Sequence, residues 1–240
     1  MRALILNSGI GKRMGELTVD RCKCMVEIAE GVTILDEQVK RLLKCGISDM
    51  CITTGPFAED LEAYLYSRFP DARFTFVNNP VYNETNYIYS IYLARDYLQD
   101  DIILLHGDLV FDLSVLSDVV SSECSVMVID STKPLPQKDF KAVVKDRKIV
   151  RVGVDEFCDA FYAQPMYKLL KEDWLVWLNE IIRFCEEGMT QVYAENALNG
   201  ISDRVNLYSL DICNRICMEI DNYDDLTYAK SIYAEIRIEE

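Results

Sequence analysis

The chain is poor in histidine, in positive charge and in long apolar runs, and each shortage excludes something. One histidine, His106, stands in 240 residues. Nine cysteines are present, but only Cys22-x-Cys24 is closely spaced and no CxxC pair occurs, so a zinc centre of thiolates and imidazoles is excluded. An odd, scattered set also argues against a disulfide framework. Cys45, Cys51, Cys124, Cys213 and Cys217 lie in apolar runs, where a free thiol behaves as a small hydrophobe. Reduced cysteines, together with an N-terminus that runs into a strand without a signal-peptide pattern, lead us to expect a cytoplasmic protein. No apolar run is long enough to cross a bilayer, so no membrane partner is expected. Lysine and arginine number 25 against 40 acidic residues, a formal charge of −15. That excess excludes a general nucleic-acid partner, which needs a basic face. A small anionic ligand would need a local group of cations.

What is present is a core and an alternating pattern. Half the residues are apolar, which is ample for a globular domain. Residues 2–7 read as a buried strand. Helical spacing follows over Ile34–Cys45, then a strand over Met50–Thr54, a helix over Ala58–Phe69 and a strand over Arg73–Val77. Asn86–Leu98 reads as helix. Asp101–Leu105 is a continuous apolar run ending in His106-Gly107-Asp108, the form of a parallel strand buried on both faces. A helix over Leu113–Val120 and a strand over Cys124–Ile129 continue the alternation. Beyond residue 130 we expect a hairpin (Lys141–Val144 and Lys148–Val154), a helix over Trp174–Glu187, a strand over Arg215–Ile220 and a closing helix over Tyr223–Glu235. This is an α/β fold: a Rossmann-like, mixed and mainly parallel sheet flanked by helices, with a small antiparallel extension. It forms one domain over 1–240, with the pattern changing between residues 1–130 and 131–240. The site belongs at the carboxyl ends of the strands.

The loop after the first strand is Leu6-Asn7-Ser8-Gly9-Ile10-Gly11-Lys12-Arg13-Met14. It is no P-loop, because Arg13 follows Gly11-Lys12 and no glycine stands five places before Gly11. It is no dinucleotide fingerprint, because the third glycine is one place late, at Gly15, and the second strand ends in Thr-Thr-Gly instead of an acid. A surface turn with incidental charges is the plain alternative.

A strand, then GxGxRM, then Lys23 resembles the opening of the nucleotidyltransferases that make nucleoside-diphosphate sugars and CDP-alcohols. Ile34-Leu35-Asp36-Glu37-Gln38, Gly46-Ile47-Ser48-Asp49, Gly107-Asp108 and Met218-Glu219-Ile220-Asp221 follow in that family's order. Within it, Tyr82-Asn83-Glu84-Thr85-Asn86-Tyr87 resembles the CTP:phosphocholine cytidylyltransferase branch. The chain departs from the family pattern in carrying Asn7-Ser8 for two alanines and Cys22 for the proline before Lys23.

The resemblance implies attack of an acceptor phosphate oxygen on the α-phosphorus of a nucleoside triphosphate, CTP favoured, with pyrophosphate leaving. Both reactants are anionic, so positioning and charge neutralisation carry the chemistry. Arg13 would grip the β- and γ-phosphates and Lys23 would bridge the α-phosphate and the acceptor. Asp108 and Asp221 would hold Mg²⁺, a hard cation suited to carboxylate oxygens. Leu6, Asn7, Ser8, Gly9, Ile10, Gly11, Lys12 and Gly107 would line the nucleotide, and Asn83 and Asn86 would contact base or acceptor. Each has a rival reading: Asp108 could cap the helix over Leu113–Val120, Asp221 could cap the last helix, and both asparagines could be turn residues. His106 is expected beside the site, not as a base, since the attacking phosphate is already charged. The acceptor would be phosphocholine or a related aminoalcohol phosphate or phosphonate. Aromatic and acidic segments at Phe157–Tyr162 and Tyr193–Asn196, with Tyr193 and Glu195, would hold its cation. A hexose 1-phosphate acceptor is the alternative, and a non-catalytic regulatory relative the alternative of another class. The oligomeric state, a homodimer included, is left open by the sequence.

Overall fold

In the computed structural model, residues 1–236 are described. Among the described residues, thirteen strands and seven α-helices follow one another. The first half contains β1 (Arg2–Asn7), β2 (Glu27–Ala29), β3 (Val32–Thr33), α1 (Ile34–Lys44), β4 (Asp49–Thr54), α2 (Ala58–Arg68), β5 (Arg73–Asn78) and α3 (Tyr87–Ala94). The centre adds β6 (Ile102–His106), β7 (Leu109–Phe111), α4 (Leu113–Ser121) and β8 (Ser125–Asp130). The last part holds β9 (Lys141–Lys145), β10 (Lys148–Gly153), β11 (Ala160–Leu169), α5 (Lys171–Glu186), α6 (Ala194–Asn199), β12 (Leu207–Asp211), β13 (Cys217–Glu219) and α7 (Tyr223–Ile236).

Nine of these strands form one sheet in the order β5-β4-β1-β6-β11-β8-β12-β10-β9. The block β5-β4-β1-β6 is parallel throughout. Apolar runs explain its place: Ala3, Leu4, Ile5 and Ile102–Leu105 are fully buried or nearly so, covered by helices on both faces. The two halves share this one sheet. β11 lies antiparallel between β6 and β8, so a strand of the second half stitches through the middle of the sheet.

Sequence reading passes over β11, α6 and β12. β11 carries Gln164 and Pro165, and a proline argues against a central strand because it cannot donate to the ladder. The structure accommodates it at a register shift between Ala163 and Tyr167, where pairing with β8 is interrupted. Trp174 and Trp177 of α5 are buried over this region, and their indole nitrogens donate to Leu98 O at 2.8 Å and Ala194 O at 3.0 Å. α1 opens as its sequence dictates, with a reciprocal capping box between Thr33 and Asp36.

Two features position the site. Parallel pairing of β1 and β6 sets Leu6 opposite His106, so the chain leaves both strands at one sheet edge. The small antiparallel pair β7–β13 sets Glu219 opposite Leu109. Ile220 N then donates to Asp108 O at 3.0 Å. Backbone pairing alone therefore brings residues more than a hundred positions apart side by side.

Candidate active site

At that edge lies a cavity of about 720 Å³, continuous in its lining residues with a second of about 340 Å³. Leu6, Gly9, Asn86, Tyr87, His106 and Asp108 border both. The smaller one is otherwise walled by neutral polar groups, among them Ser8, Asn79, Thr85 and Ser90. The larger carries the charges.

Its centre is a knot of ions. Lys23 Nζ donates to Asp108 Oδ2 and to Asp221 Oδ1, both at 2.6 Å. Arg13 adds a forked contact to Asp221, with Nη2 to Oδ1 and Nη1 to Oδ2 each 2.9 Å. Burial on its own would lower the pKa of the Lys23 ammonium, but the two carboxylates reverse this and raise it. Burial likewise pushes the Asp108 carboxyl up, and Lys23 and His106 overcome it, holding the group below its ordinary value. On the other side His106 Nδ1 lies 3.1 Å from Glu219 Oε1. Burial opposes a charge on this imidazole, yet the Glu219 contact leaves its pKa raised. Glu219 itself is pushed up, by burial first and then by the charge on Asp108.

The helix-cap alternatives fail for Asp221 and Asp108. Asn222 Oδ1 accepts from Asp224 N at 2.8 Å and Asp225 N at 3.0 Å, so Asn222 caps α7 and the Asp221 carboxylate is left to the cations. Asp112, not Asp108, precedes α4. Asn86 does cap: its Oδ1 accepts from Tyr87 N at 2.8 Å, while the residue also lines both cavities.

The turn that carries Asp108 is braced from below. Gln38, buried on α1, donates through Nε2 to His106 O at 2.9 Å and Leu109 O at 2.8 Å. Gly107 has no room for a side chain, since a Cβ there would lie 1.6 Å from Asn7 Oδ1. Gly107→Ala should therefore destabilise the fold by about 1–3 kcal/mol, the usual cost of overpacking. The double variant Asn7→Ala, Gly107→Ala should recover most of that loss in chemical denaturation; equal stability of the single and double variants would contradict the clash.

Residues 3–137 match the MobA-like NTP transferase domain. The chain belongs to that family. A CTP:phosphoglutamine cytidylyltransferase of Campylobacter jejuni is 27% identical over 94% of this chain and 98% of its own length. A choline-phosphate cytidylyltransferase of Haemophilus influenzae is 30% identical over 94% of both chains. The solved CTP:phosphocholine cytidylyltransferase of Streptococcus pneumoniae shares the fold, with a TM-score of 0.78 at 19% identity over 97% of this chain and 98% of that one.

For an NTP transferase domain the sequence places most of the expected residues at one cavity. Leu6, Asn7, Gly9, Gly11, Lys12, Arg13, Lys23, Asn86, Gly107, Asp108, Tyr193 and Asp221 all border the larger opening, and Ser8 borders the smaller. Ile10 and Asn83 border neither. Glu195 lies behind the wall: it is buried and accepts from the hydroxyls of Tyr87 and, at 2.8 Å, Tyr167. The segment Phe157–Tyr162 is elsewhere. Ala160, Phe161 and Tyr162 pair with β9, and the Phe157 ring covers the Lys141 ammonium at 4.3 Å. Its place is taken by Gln137, Lys138, Asp139, Phe140, Val154 and Asp155, which the sequence did not single out. Aromatic contacts run along this wall from His106 to Tyr87 (4.8 Å between centroids), Tyr87 to Tyr193 (6.0 Å) and Tyr193 to Phe140 (5.1 Å). Glu219 was visible only as part of the EID stretch.

Proposed function

We propose that this chain transfers CMP from CTP to a small phosphorylated acceptor and releases pyrophosphate. The observation that carries the proposal is the meeting of Arg13, Lys23, Asp108 and Asp221 at one cavity, cations from one end of the chain and carboxylates from its middle and far end. An acceptor phosphate oxygen attacks the α-phosphorus, a new P–O bond forms, and the bond to the β-phosphate bridging oxygen breaks. Arg13, two-thirds exposed at the mouth, takes the departing pyrophosphate oxygens, with Lys12 beside it. Lys23 turns from its carboxylates to the α-phosphate and the acceptor, holding two anions in line.

Mg²⁺ fits the residues present. Asp108 Oδ1 is buried without a hydrogen-bond partner among the described residues, and hard carboxylate oxygens are what Mg²⁺ binds. Asp108 and Asp221 would hold it, and it would supply charge neutralisation at the α-phosphate.

The neutral amide and hydroxyl groups of the smaller cavity suit a nucleobase edge. Asp139, Asp155 and the aromatic wall of the larger one suit an acceptor with an ammonium group. Burial, and then the charge on Asp221, raises the Asp139 pKa, which a bound cation would reverse. The relatives named for phosphoglutamine and choline phosphate support an acceptor of this kind. No helix among the described residues is long and apolar enough to cross a membrane, and the nine free cysteines support a reducing, cytoplasmic setting.

The test is pyrophosphate release from each of four NTPs with phosphocholine, phosphoethanolamine, 2-aminoethylphosphonate, phosphoglutamine or hexose 1-phosphates, with and without Mg²⁺. CTP with an amine-bearing acceptor should be turned over fastest. Release confined to hexose 1-phosphates would overturn the acceptor class, and no release from any pair would overturn the activity. In the same assay Gln38→Met should lower turnover about tenfold and reduce stability by about 1–3 kcal/mol, because two buried carbonyls lose their donor and the Asp108 turn loses its brace. Unchanged turnover would show that the turn holds its shape alone.

A further inference from the structure

Lys141, at the head of β9, has no exposed surface. Full burial is rare for a lysine unless an acid pairs with it. Among the described residues its ammonium donates instead to two backbone carbonyls, Pro136 O at 2.7 Å and Asp139 O at 3.1 Å. The exposed ring of Phe157 lies over the same ammonium, with its centroid 4.3 Å from Nζ. Burial lowers the pKa of the group, and the charges of Asp139 and Asp155 oppose that shift. The aromatic segment that the sequence offers as a cage for the acceptor's cation therefore does hold a cation, and it is the protein's own.

These contacts join two stretches of chain. One is the loop of residues 131–140 between β8 and β9, which carries neither helix nor strand. It supplies Gln137, Lys138, Asp139 and Phe140 to the larger cavity. The other follows β10 and supplies Val154 and Asp155 before it reaches Phe157. Tyr162 is opposite Lys141 in the pairing of β9 with β11, and its hydroxyl donates to Asp139 Oδ2 at 3.4 Å. Asp139 is thus gripped at its backbone by the ammonium and at its carboxylate by the phenol. A methionine at position 141 would fill a similar space without taking a charge out of water. It could not donate to the two loop carbonyls. What the ammonium adds at this position is the shape of the loop.

We propose that Lys141 is a positioning residue for the acceptor: it latches the 131–140 loop to the segment after β10 and so fixes Asp139 and Asp155 at the cavity, with Phe157 as the cover of the latch. This rests on the reading of the larger cavity as the acceptor side. Lys141 touches no reactant and acts through the two segments it joins.

The test uses the full chain and the variants Lys141→Met and Phe157→Leu. Pyrophosphate release is measured from CTP with phosphocholine, phosphoethanolamine or phosphoglutamine. Lys141→Met should raise the acceptor KM about tenfold and leave kcat and the CTP KM within about twofold of wild type, because only the acceptor wall loses its shape. Phe157→Leu should move the same constant in the same direction by less. A second readout needs no acceptor. Trypsin can cut after Lys138, an exposed residue of the loop, whereas Lys133 is followed by Pro134, which protects that bond. Mass spectrometry should find cleavage after Lys138 at least about fivefold faster in Lys141→Met than in wild type, with circular dichroism showing the fold intact. If Lys141→Met does not fold, Phe157→Leu, changed at an exposed ring, carries both readouts. A fall in kcat with both KM values unchanged would make Lys141 a purely structural residue, and equal cleavage would show that the loop keeps its shape without it; either result would overturn this inference. A wild type that turns over none of these acceptors, with Lys138 labile in the variant, would keep the latch and overturn the acceptor reading.

Discussion

Asp108→Asn and Asp221→Asn should each cut turnover by about a hundredfold to a thousandfold, the loss seen when one preorganised electrostatic contact to a developing charge is removed. The change is nearly isosteric, so the fold should survive. Asp108 stands in a turn held by Gln38 through backbone carbonyls and by Ile220 N donating to the Asp108 backbone oxygen, none of which depends on its carboxylate. Asp221 is likewise free of the α7 cap. The two variants should differ in one respect. Asp108 contacts Lys23, whereas Asp221 contacts both Lys23 and Arg13. Asp221→Asn should therefore release Arg13 as well and change the affinity for pyrophosphate, measured as product inhibition, while Asp108→Asn leaves it near the wild-type value. Near-normal turnover in either variant, with thermal unfolding unchanged, would remove that residue from the site.

Much of this arrangement is legible in the sequence because it depends on local patterns. A fully apolar run ending in His-Gly-Asp can hardly be anything but a buried strand delivering polar groups to its end, and β6 does so. The loop after β1 is legible through its glycines: Gly11 adopts φ 70°, with Lys23 Cβ only 3.1 Å from where a side chain would begin. The missing side chain leaves room for Lys23 against the loop, and no spacing rule foretells it. Elements that depend on distant pairing are the illegible ones. β11 goes unread because Pro165 argues against a central strand, and only its two neighbours, β6 and β8, make it one. Residues 160–162 pair with β9, and residues 137–140 line the cavity in front of them, with the Tyr162 hydroxyl donating to Asp139 Oδ2 at 3.4 Å. Glu195 was drawn to the site by its neighbour Tyr193, yet two tyrosine hydroxyls hold it one layer below.

Lys23→Ala should slow turnover by at least about a hundredfold while changing CTP affinity far less, because the ammonium is asked to align two anions in the transition state and adds little to ground-state binding. The variant also exposes what the lysine does before substrate arrives. In the free protein its ammonium occupies the place between Asp108 and Asp221, within 2.6 Å of each. Its raised pKa means that this contribution to stability is present below the unfolded lysine value, about 10.4, and is lost as pH climbs through the folded one. The depressed Asp108 pKa means the complementary contribution is present above about 3.9 and is lost as pH falls through the folded value. The pair therefore supports the fold across the window between those limits, and Lys23→Ala removes that support by leaving two neighbouring carboxylates without their counter-ion. A divalent cation should then do for the variant what the lysine does for the wild type. Added Mg²⁺ or Mn²⁺ should raise the thermal midpoint of Lys23→Ala by several degrees and that of the wild type by less, since in the wild type the metal must first displace an ammonium. Equal shifts in the two proteins would mean that lysine and metal do not compete for the same carboxylates, and a larger shift in the wild type would place the metal away from them.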